Sequence, residues 1–379
     1  MQYPLTPKPV RRSGALPIVI TVLGAIAILL IVALISAGSP VTFIVGAIPS
    51  TAALIVSLLC YRWLDRWEPE PTRLTVMALI WGGSAGVIFS FLVEMAIPAS
   101  EFVTMAIVAP LAEELAKASV FILVATGARK LELTSLTDHI FYAGICALGF
   151  AFVENLGYFA LSSSAGEFVV MALVRTGFGV FGHPLYTTAT AVGIWAWRTK
   201  GGLWKAAVGY IAACLLHGLW NGGPTLLAGS LGLDDTGQLA AMILVYIVLF
   251  VPVFIGTIIM TTRNRRNEYE AVRSQLPLMV EAGLVTPAEA DMIADPRKRR
   301  AILADSGKYG RVAKRNQKRT ITAATEAALA QHRIAAGEGG PELIKRRDQL
   351  SEWLRSRPDK LGQLPLMPQF PPIQPPATW

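Results

Sequence analysis

Two adjacent glutamates, Glu113 and Glu114, lie in the middle of a mostly apolar stretch at 101–128, and Lys117 follows one helical turn later. A charge at the centre of a bilayer costs about 2.5–3.5 kcal/mol on insertion scales, so a packing role alone does not account for this pair. The spacings of three and four residues place the lysine ammonium within reach of both carboxylates. One glutamate could act as a general base on water, and the alternative is a buried ion pair that only supports the fold.

Later apolar segments carry further groups that could take part in chemistry at membrane depth. They comprise one carboxylate, two imidazoles and three side chains that could orient a substrate or a water molecule: Glu154, His183, His217, Asn155, Arg175 and Asn221. The carboxylate and the two imidazoles join Glu113, Glu114 and Lys117 in the predicted catalytic set. The predicted reaction is hydrolysis inside the membrane, and the remaining histidines, His139 and His332, have no role in it.

Two versions of this hydrolytic chemistry are open on the residues alone. Two histidines and a carboxylate form a ligand set typical of zinc, with an open position for water, so Glu154, His183 and His217 could bind one zinc ion. In the metal-free version, a glutamate activates the water while His and Asn side chains hold it and stabilise the oxyanion. In both versions, Glu113 or Glu114 is the general base.

The composition of the chain predicts the kind of fold that positions these groups. Of its 379 residues, 53% are hydrophobic and only 16% are charged, and the mean hydropathy is +0.49. Soluble proteins carry roughly 25% charged residues, so a polytopic membrane protein is indicated. A spanning helix needs about 20 apolar residues, and on this basis we predict an all-α fold with about eight transmembrane helices. Their predicted ranges are 16–37, 41–61, 74–97, 101–128, 139–162, 167–197, 203–229 and 237–261.

Local sequence features add detail to three of these helices. Gly and Pro residues at 177–184 predict that the sixth helix is kinked or divided in two. The first helix is preceded by basic residues and has no convincing small-residue cleavage site, so we interpret it as an uncleaved anchor. The eighth is followed by a change to a polar, basic composition.

Basic residues in alternate loops orient the predicted helices. The basic segments lie at 8–12, 62–73, 129–130, 198–205 and 263–266. The loops between them are nearly free of Lys and Arg, so eight helices with both termini in the cytoplasm satisfy the positive-inside rule. We therefore predict a multi-pass protein of the cell membrane, with a cytoplasmic N-terminus at 1–15 and an eight-helix transmembrane domain at 16–261.

The positive charge of the chain is concentrated after the last predicted helix. From residue 262 onward there are 21 Lys and Arg against 13 Asp and Glu, a net charge of +8, whereas residues 1–261 carry 13 of each. We predict a basic cytoplasmic tail with short helices at 262–357, followed by a Pro-rich, disordered end at 358–379. The basic runs at 297–300 and 314–319 predict contact with anionic lipid head groups. No nucleic acid is expected as a partner, because no aromatic-interleaved basic module is present.

The motifs around these residues resemble the PrsW family of intramembrane proteases over roughly residues 40–262. They are Glu-Glu-x-x-Lys at 113–117, Phe-x-x-x-Glu-Asn at 150–155, a glycine-flanked His183 and His-x-x-Trp-Asn at 217–221, preceded by Glu-Pro-Glu-Pro at 68–71. The related CAAX-prenyl protease superfamily has a basic residue one place later than Lys117 and a histidine in its phenylalanine motif. Here the residue after Lys117 is Ala118 rather than a basic residue, and the phenylalanine motif contains Glu154 rather than a histidine. The PrsW family is therefore the better match.

The resemblance implies an integral-membrane endopeptidase with an inferred metal, and its functional positions correspond here to Glu113, Glu114, Glu154, His183 and His217. It also implies a membrane-anchored protein as substrate, since members of the family are implicated in the first cut of anti-sigma factors. The alternative on the residues is a non-hydrolytic protein, either an ion- or proton-coupled transporter or a membrane scaffold, because buried Glu, His and Lys also form proton relays. The lack of an inverted repeat argues against a transporter.

Overall fold

The structure is a computed structural model that describes residues 15–64, 70–125, 133–337 and 340–357. Most of the predicted cytoplasmic N-terminus, the basic pair at 129–130 and the predicted Pro-rich end at 358–379 lie outside the described residues. The chain divides into two compact units between Arg265 and Arg266.

Every element in the described part of the chain is helical. The first unit contains α1 (Leu16–Gly38), α2 (Pro40–Leu64), α3 (Thr72–Ala96), α4 (Ala109–Ala118), α5 (Leu136–Ala160), α6 (Ala165–Ala172), α7 (Gly182–Lys200), α8 (Trp204–Leu231) and α9 (Asp235–Val245). The unit boundary falls inside α10 (Val251–Glu281), and the second unit continues with α11 (Pro287–Ala294), α12 (Pro296–Lys308), α13 (Arg311–Ala335) and α14 (Pro341–Ser356). Short helices at Glu101–Val103 and Val120–Val124 flank α4, and π-helical turns occur at Gly82–Gly86, Thr104–Val108, Leu173–Phe178 and Tyr246–Phe250.

Six helical stretches among the described residues are long and apolar enough to cross a membrane. They are Leu16–Gly38, Pro40–Leu64, Thr72–Ala96, Leu136–Ala160, Ala165–Lys200 and Thr236–Glu281. The protein is therefore an all-helical, multi-pass membrane protein. Large apolar side chains on α1, such as Leu29 and Leu34, are exposed, as a lipid environment requires.

Two of the eight predicted spans do not meet this standard of length and hydropathy. The stretch predicted at 101–128 is divided into short helical pieces, and its central helix α4 carries two glutamates and a lysine. The stretch predicted at 203–229 forms one long helix, α8, whose polar and glycine residues lower its hydropathy. The count of eight spans stays a prediction.

The predicted division of the sixth span is confirmed. The π-helical turn Leu173–Phe178 ends at Gly179, and helix resumes only at Gly182, where α7 begins. Pro184 lies in the first turn of α7, where its missing backbone N–H leaves no helical hydrogen bond unmade. The interruption leaves Arg175 and His183 on opposite sides of a break in one polypeptide segment.

Helix α5 forms the centre of the first unit and is buried along most of its length. A capping box starts it, because the Ser135 hydroxyl accepts a hydrogen bond from the backbone N–H of Asp138, and the Asp138 carboxylate accepts one from the backbone N–H of Ser135. At Gly149 a Cβ atom would lie 1.8 Å from the carbonyl oxygen of Leu79, so the backbones of α3 and α5 are in direct contact there. Only a small residue permits this approach.

The second unit has a hydrophobic core of its own. Its buried apolar side chains come from all five helices α10–α14 and include Val272, Met292, Ile302, Ile321 and Leu350. Here the structure differs from the short helices predicted for 262–357, since α13 alone has 25 residues. The buried face of α13 is made mainly of alanines, which have little hydropathy but pack closely and favour helix.

Candidate active site

Helix α4 presents Glu113, Glu114 and Lys117 to the interior of the first unit, and all three side chains are buried. The ammonium nitrogen of Lys117 lies 3.0 Å from Oε2 of Glu113 and 2.9 Å from Oε1 of Glu114. The same nitrogen is 2.9 Å from Nδ1 of His183 and 4.2 Å from the ring centroid of Phe150. One lysine therefore offsets the repulsion between adjacent carboxylates that would otherwise disfavour this helix in a low-dielectric interior.

The first two turns of α7 bring His183 and Thr187 to the same place. Nε2 of His183 lies 2.8 Å from Oε2 of Glu154 on α5, while Nδ1 faces Lys117. The hydroxyl of Thr187 donates a hydrogen bond to Oε2 of Glu114 at 2.8 Å. Because residues four apart share a helix face, α7 contacts Glu154 through His183 and Glu114 through Thr187 from the same side.

Helix α8 supplies His217, whose Nδ1 lies 3.2 Å from Oε1 of Glu114. Gly218 lets α8 approach the chain ahead of α4, since a Cβ atom there would lie 2.4 Å from the carbonyl oxygen of Ala106. Asn221 stands one turn later, and its amide nitrogen donates to the carbonyl oxygen of Met105 at 3.0 Å. The predicted role of Asn221, to orient an imidazole or a water molecule, stays a prediction; its hydrogen bond in the structure holds α8 to the backbone of the π-helical turn.

Arg175 joins Glu154 and Asn155 into a second polar group beside the first. Its guanidinium donates to Oε2 of Glu154 and, at 2.7 Å, to Oδ1 of Asn155. It also lies over the ring of Tyr158, 3.8 Å from the centroid. The carboxylate of Glu154 is thus neutralised by Arg175 while it holds His183.

The two imidazoles are held in the same manner, with one nitrogen on a carboxylate and the other turned toward the centre of the site. Glu154 contacts Nε2 of His183, and Glu114 contacts Nδ1 of His217. The inward nitrogens, Nδ1 of His183 and Nε2 of His217, lie 3.7 Å and 3.8 Å from Oε2 of Glu113. If each outer nitrogen donates to its carboxylate, each inward nitrogen has a lone pair, and that of His183 accepts a hydrogen bond from Lys117.

These inward atoms form a group that could bind a metal ion. One oxygen of Glu113 and one nitrogen each of His183 and His217 all lie within 4.8 Å of one another, and the three residues are buried. The predicted ligand set contained Glu154 in place of Glu113. In the structure, Glu154 lies 2.8 Å from Nε2 of His183, a position from which a carboxylate could orient a metal-binding imidazole.

The site also contains residues that the sequence did not single out. Tyr186 lies one turn after His183, with its ring 4.8 Å from that of His217 and nearly parallel to it. Thr187 bonds to Glu114, and Phe150, noted only as part of a motif, contacts Lys117. Tyr186 and Thr187 lie three and four residues after His183, and this spacing places them on the same helix face as the histidine. The sequence alone did not single them out, because Tyr and Thr are ordinary packing residues in helices.

Of the nine predicted site residues, eight lie in this connected network, and Asn221 bonds to backbone beside it. The family model described as PrsW family intramembrane metalloprotease matches residues 70–257, about half of the chain. The chain belongs to this family. The match contains all nine residues, and it is shorter than the 40–262 over which the motifs suggested a resemblance. Membership in the PrsW family supports a protease embedded in the membrane, and no curated protein or solved structure matched the chain.

Proposed function

We propose that this PrsW-family protein is an intramembrane endopeptidase that hydrolyses peptide bonds of membrane-anchored proteins. The observation that carries the proposal is the buried centre at which Glu113, His183 and His217 each direct one atom inward. Burial of three such groups in an apolar bundle costs free energy, and hydrolytic chemistry explains why they converge. We further propose residues 16–261, with eight spans and cytoplasmic termini, as the protease domain.

In the metal-free version of this proposal, Glu113 is the general base, because both oxygens of Glu114 already accept hydrogen bonds. These hydrogen bonds come from Lys117, His217 and Thr187. In contrast, Oε2 of Glu113 is too far from either inward nitrogen for a direct hydrogen bond, and the separation suits a bridging water molecule. A carboxylate at hydrogen-bond distance from a water molecule can remove its proton.

Hydrolysis then follows in two steps. Glu113 takes a proton from water while the water oxygen bonds to the peptide carbonyl carbon, and the carbonyl π electrons move to its oxygen. When the tetrahedral intermediate collapses, the C–N bond breaks and the proton held by Glu113 passes to the leaving nitrogen. Lys117 keeps both carboxylates of α4 in place, while Glu114 and Glu154 orient His217 and His183 toward the reacting atoms.

The residues fit the metal ion that the family description implies. A carboxylate oxygen and two imidazole nitrogens form a common zinc donor set, and both imidazoles have the outer carboxylate that usually accompanies metal ligation. Glu113, His183 and His217 would hold the ion, and Glu113 would then act as a ligand rather than as the general base. When bound, zinc supplies a Lewis acid and lowers the pKa of its water.

The substrate class that we propose is a single-span membrane protein, of which an anti-sigma factor cut in a first, site-1-type step is the example suggested by the family resemblance. The test is quantitative membrane proteomics of cells that express wild type, Glu113→Gln or His217→Ala at matched levels. Glu101→Gln is the control, because Glu101 is an exposed carboxylate of the same segment. Single-span proteins that accumulate at full length in both variants, with truncated forms only in wild type and the control, are expected. Identical profiles in all strains, under membrane stress as well as at rest, would overturn the proposal in favour of transport.

The second unit is proposed to bind anionic lipid through α12 and α13. Residues 296–319 carry ten Lys and Arg and one Asp, a net charge of +9, which exceeds the +8 of the whole chain. Six of the ten basic side chains are exposed and form no ion pair with another described residue: Arg297, Arg300, Arg311, Lys314, Arg315 and Lys318. Four of these share one face of α13 at spacings of three and four, where like charges repel.

Two of these charges do not stabilise the helices that carry them. Arg297 and Arg311 lie in the first turns of their helices, where the helix dipole disfavours cations. A basic side chain near an anionic leaflet gains about 1 kcal/mol.

Hydrogen exchange of the full chain in lipid nanodiscs tests the lipid proposal. Segment 296–319 should exchange more slowly in discs that contain phosphatidylglycerol than in phosphatidylcholine alone, and the difference should disappear when all six residues are changed to Gln. Arg273→Gln, a change of an exposed arginine outside the patch, should keep it. Equal exchange in both discs, or protection by added nucleic acid that displaces lipid, would contradict the proposal.

A further inference from the structure

The hydroxyl of Tyr186 is buried beside the catalytic centre and has no hydrogen-bond partner among the described residues. The residue is only 1% exposed. Buried hydroxyl groups nearly always have a partner, because an unpaired one loses its hydration without compensation. Its retention beside two histidines suggests that the missing partner is a ligand.

The ring of Tyr186 is fixed in place by its neighbours, so its hydroxyl cannot turn elsewhere. It stacks on the ring of His217 at a centroid distance of 4.8 Å and an interplanar angle of 24°, and it lies 5.8 Å from the ring of His183. The edge of Phe250 contacts it from a third direction at 5.8 Å. Rings packed in this way keep the phenol oxygen at one point, beside Gly182 and next to the rings of the two histidines.

Gly182 leaves space around this oxygen. A Cβ atom at that position would lie 2.9 Å from the Tyr186 hydroxyl oxygen, closer than a carbon contact allows. The glycine thus keeps a side chain away from the one polar atom of Tyr186.

Tyr186 lines two cavities. A small one, of about 30 Å³, has a mostly apolar lining that also includes Asn155, Arg175 and His183, and it has room for a water molecule. The second is larger, about 250 Å³, and its lining is aromatic and aliphatic: Phe178, Phe181, Leu185, Trp220, Tyr246 and Phe250. Val180, Gly182 and Trp220 line both cavities as well, and Tyr186 is the shared residue with a polar side-chain atom that lacks a partner.

We propose that Tyr186 is a further catalytic residue, which donates a hydrogen bond to the carbonyl oxygen of the scissile bond, and that the aromatic cavity binds a large apolar side chain of the substrate next to that bond. This inference rests on the proposed protease function. As water attacks, the carbonyl oxygen gains negative charge, and a preorganised donor stabilises that charge more than it stabilises the ground state. A pocket lined by aromatic side chains accepts Phe, Leu or Met and disfavours small or charged residues.

The hydroxyl is tested by Tyr186→Phe, which removes one oxygen and leaves the ring stacked on His217. The assay uses purified protein in liposomes with a library of single-span polypeptides randomised at the residues around the span centre, and mass spectrometry of the products. We expect kcat to fall about 10²–10³-fold with KM nearly unchanged. Tyr210→Phe is the matched control, because it removes a phenol that donates to the carbonyl oxygen of Leu111 at 2.8 Å on the same unit.

Thermal unfolding separates catalysis from packing. Loss of an unpartnered buried hydroxyl should leave the unfolding temperature of Tyr186→Phe equal to or above that of wild type. A lower unfolding temperature, or an unchanged kcat, would overturn the assignment of the hydroxyl.

The same library tests the cavity, because the residues found beside the cut in the products show which side chains the enzyme prefers. Wild type should enrich large apolar residues at one position beside the cut by on the order of tenfold. Phe254→Ala, which removes a ring stacked on Phe181 in the cavity wall, should shift the preference toward Trp. Phe91→Ala, a change of an exposed ring on α3, should not. Cleavage with no preference at any position would overturn the cavity assignment, whereas cleavage of no member of the library would overturn the protease function itself.

Discussion

At the scale of single residues, Glu113 and Glu114 are chemically identical neighbours that the fold gives different partners. Glu114 is fully buried and accepts hydrogen bonds from three other helical side chains, Lys117, Thr187 and His217. Within the described residues, Glu113 has one such partner, Lys117, and its carboxylate borders the space between the imidazoles. A difference of this kind predicts different effects of the same substitution.

Glu113→Gln should abolish cleavage, by at least about 10²-fold, and should lower the unfolding temperature less than Glu114→Gln does, because Glu113 has a single described hydrogen-bond partner. Glu114→Gln should also lower the free energy of unfolding, by about 3 kcal/mol, because a buried hydrogen-bonded charge is lost. Product formation and thermal unfolding, measured on the same detergent preparations, check both statements. A fully stable but inactive Glu114→Gln beside an active Glu113→Gln would exchange the roles of the two residues.

Zinc content tests the assignment of inner and outer residues independently of activity. His217→Ala should remove bound zinc, because it deletes a ligand, whereas Glu154→Gln should weaken zinc binding about 10–100-fold, because it alters only the orientation of His183. Zinc bound per protein, measured by mass spectrometry after dialysis against graded chelator, gives both affinities. If Glu154→Gln removes zinc as completely as His217→Ala, then Glu154 is a ligand itself, as the sequence alone had suggested.

The sequence identified the acidic, basic and imidazole residues of this site because such side chains are rare at membrane depth. It could not determine which nitrogen of His183 faces the centre of the site, and so it could not show that Glu154 contacts the opposite nitrogen of that imidazole. It also gave no reason to select Tyr186, since a tyrosine in an apolar helix is ordinary until its hydroxyl is seen to lack a partner.

At the scale of helices, the site depends on close contact between backbones. The helices α3 and α5 touch at Gly149, and α5 carries Glu154 one turn and a half later. The glycines at 177–184 correctly predicted the division of the sixth span, because Gly and Pro act locally. Which pairs of helices touch was beyond prediction, since contact depends on surfaces far apart in the sequence.

Gly149→Ala should separate α3 from α5, because the added Cβ atom would lie 1.8 Å from the carbonyl oxygen of Leu79. Overpacking of this kind costs about 1–3 kcal/mol, and the shift of α5 should also reduce cleavage. The control is Gly157→Ala on the same helix, where no atom lies within 4 Å of the added carbon. It should be neutral or stabilising, since Ala favours helix by about 1 kcal/mol over Gly. Thermal unfolding of both variants decides the matter, and equal behaviour would contradict the close contact.

At the scale of the whole molecule, the chain combines a helical membrane unit with a second helical unit that has its own core and most of the positive charge. The sequence predicted the membrane character of the first from hydropathy, but it predicted only short helices for the second. The reason lies in α13, whose buried residues include Ala323, Ala324, Ala327 and Ala328. Alanines resemble surface helix residues in hydropathy, so only the packed structure reveals them as core.

The stability of this second unit should depend on the ion pair between Arg357 and Glu289, in which both side chains are 1% exposed. Arg357 donates to both oxygens of Glu289 at 2.9 Å, and Glu289 also accepts from the backbone N–H of Thr286 at the start of α11. Arg357→Met should lower the free energy of unfolding of this unit by about 3–5 kcal/mol, because it leaves a carboxylate buried without its cation.

The double variant Arg357→Met with Glu289→Met should recover most of this loss, because no uncompensated charge remains. A deficit of about 1 kcal/mol should persist, because Glu289 also completes the cap of α11. Urea unfolding of the full chain, followed by hydrogen exchange in α11 and α13, measures this unit without requiring that it fold alone. If the double variant is as unstable as Arg357→Met, the pair contributes through its packing geometry rather than through mutual neutralisation, and the electrostatic explanation is wrong.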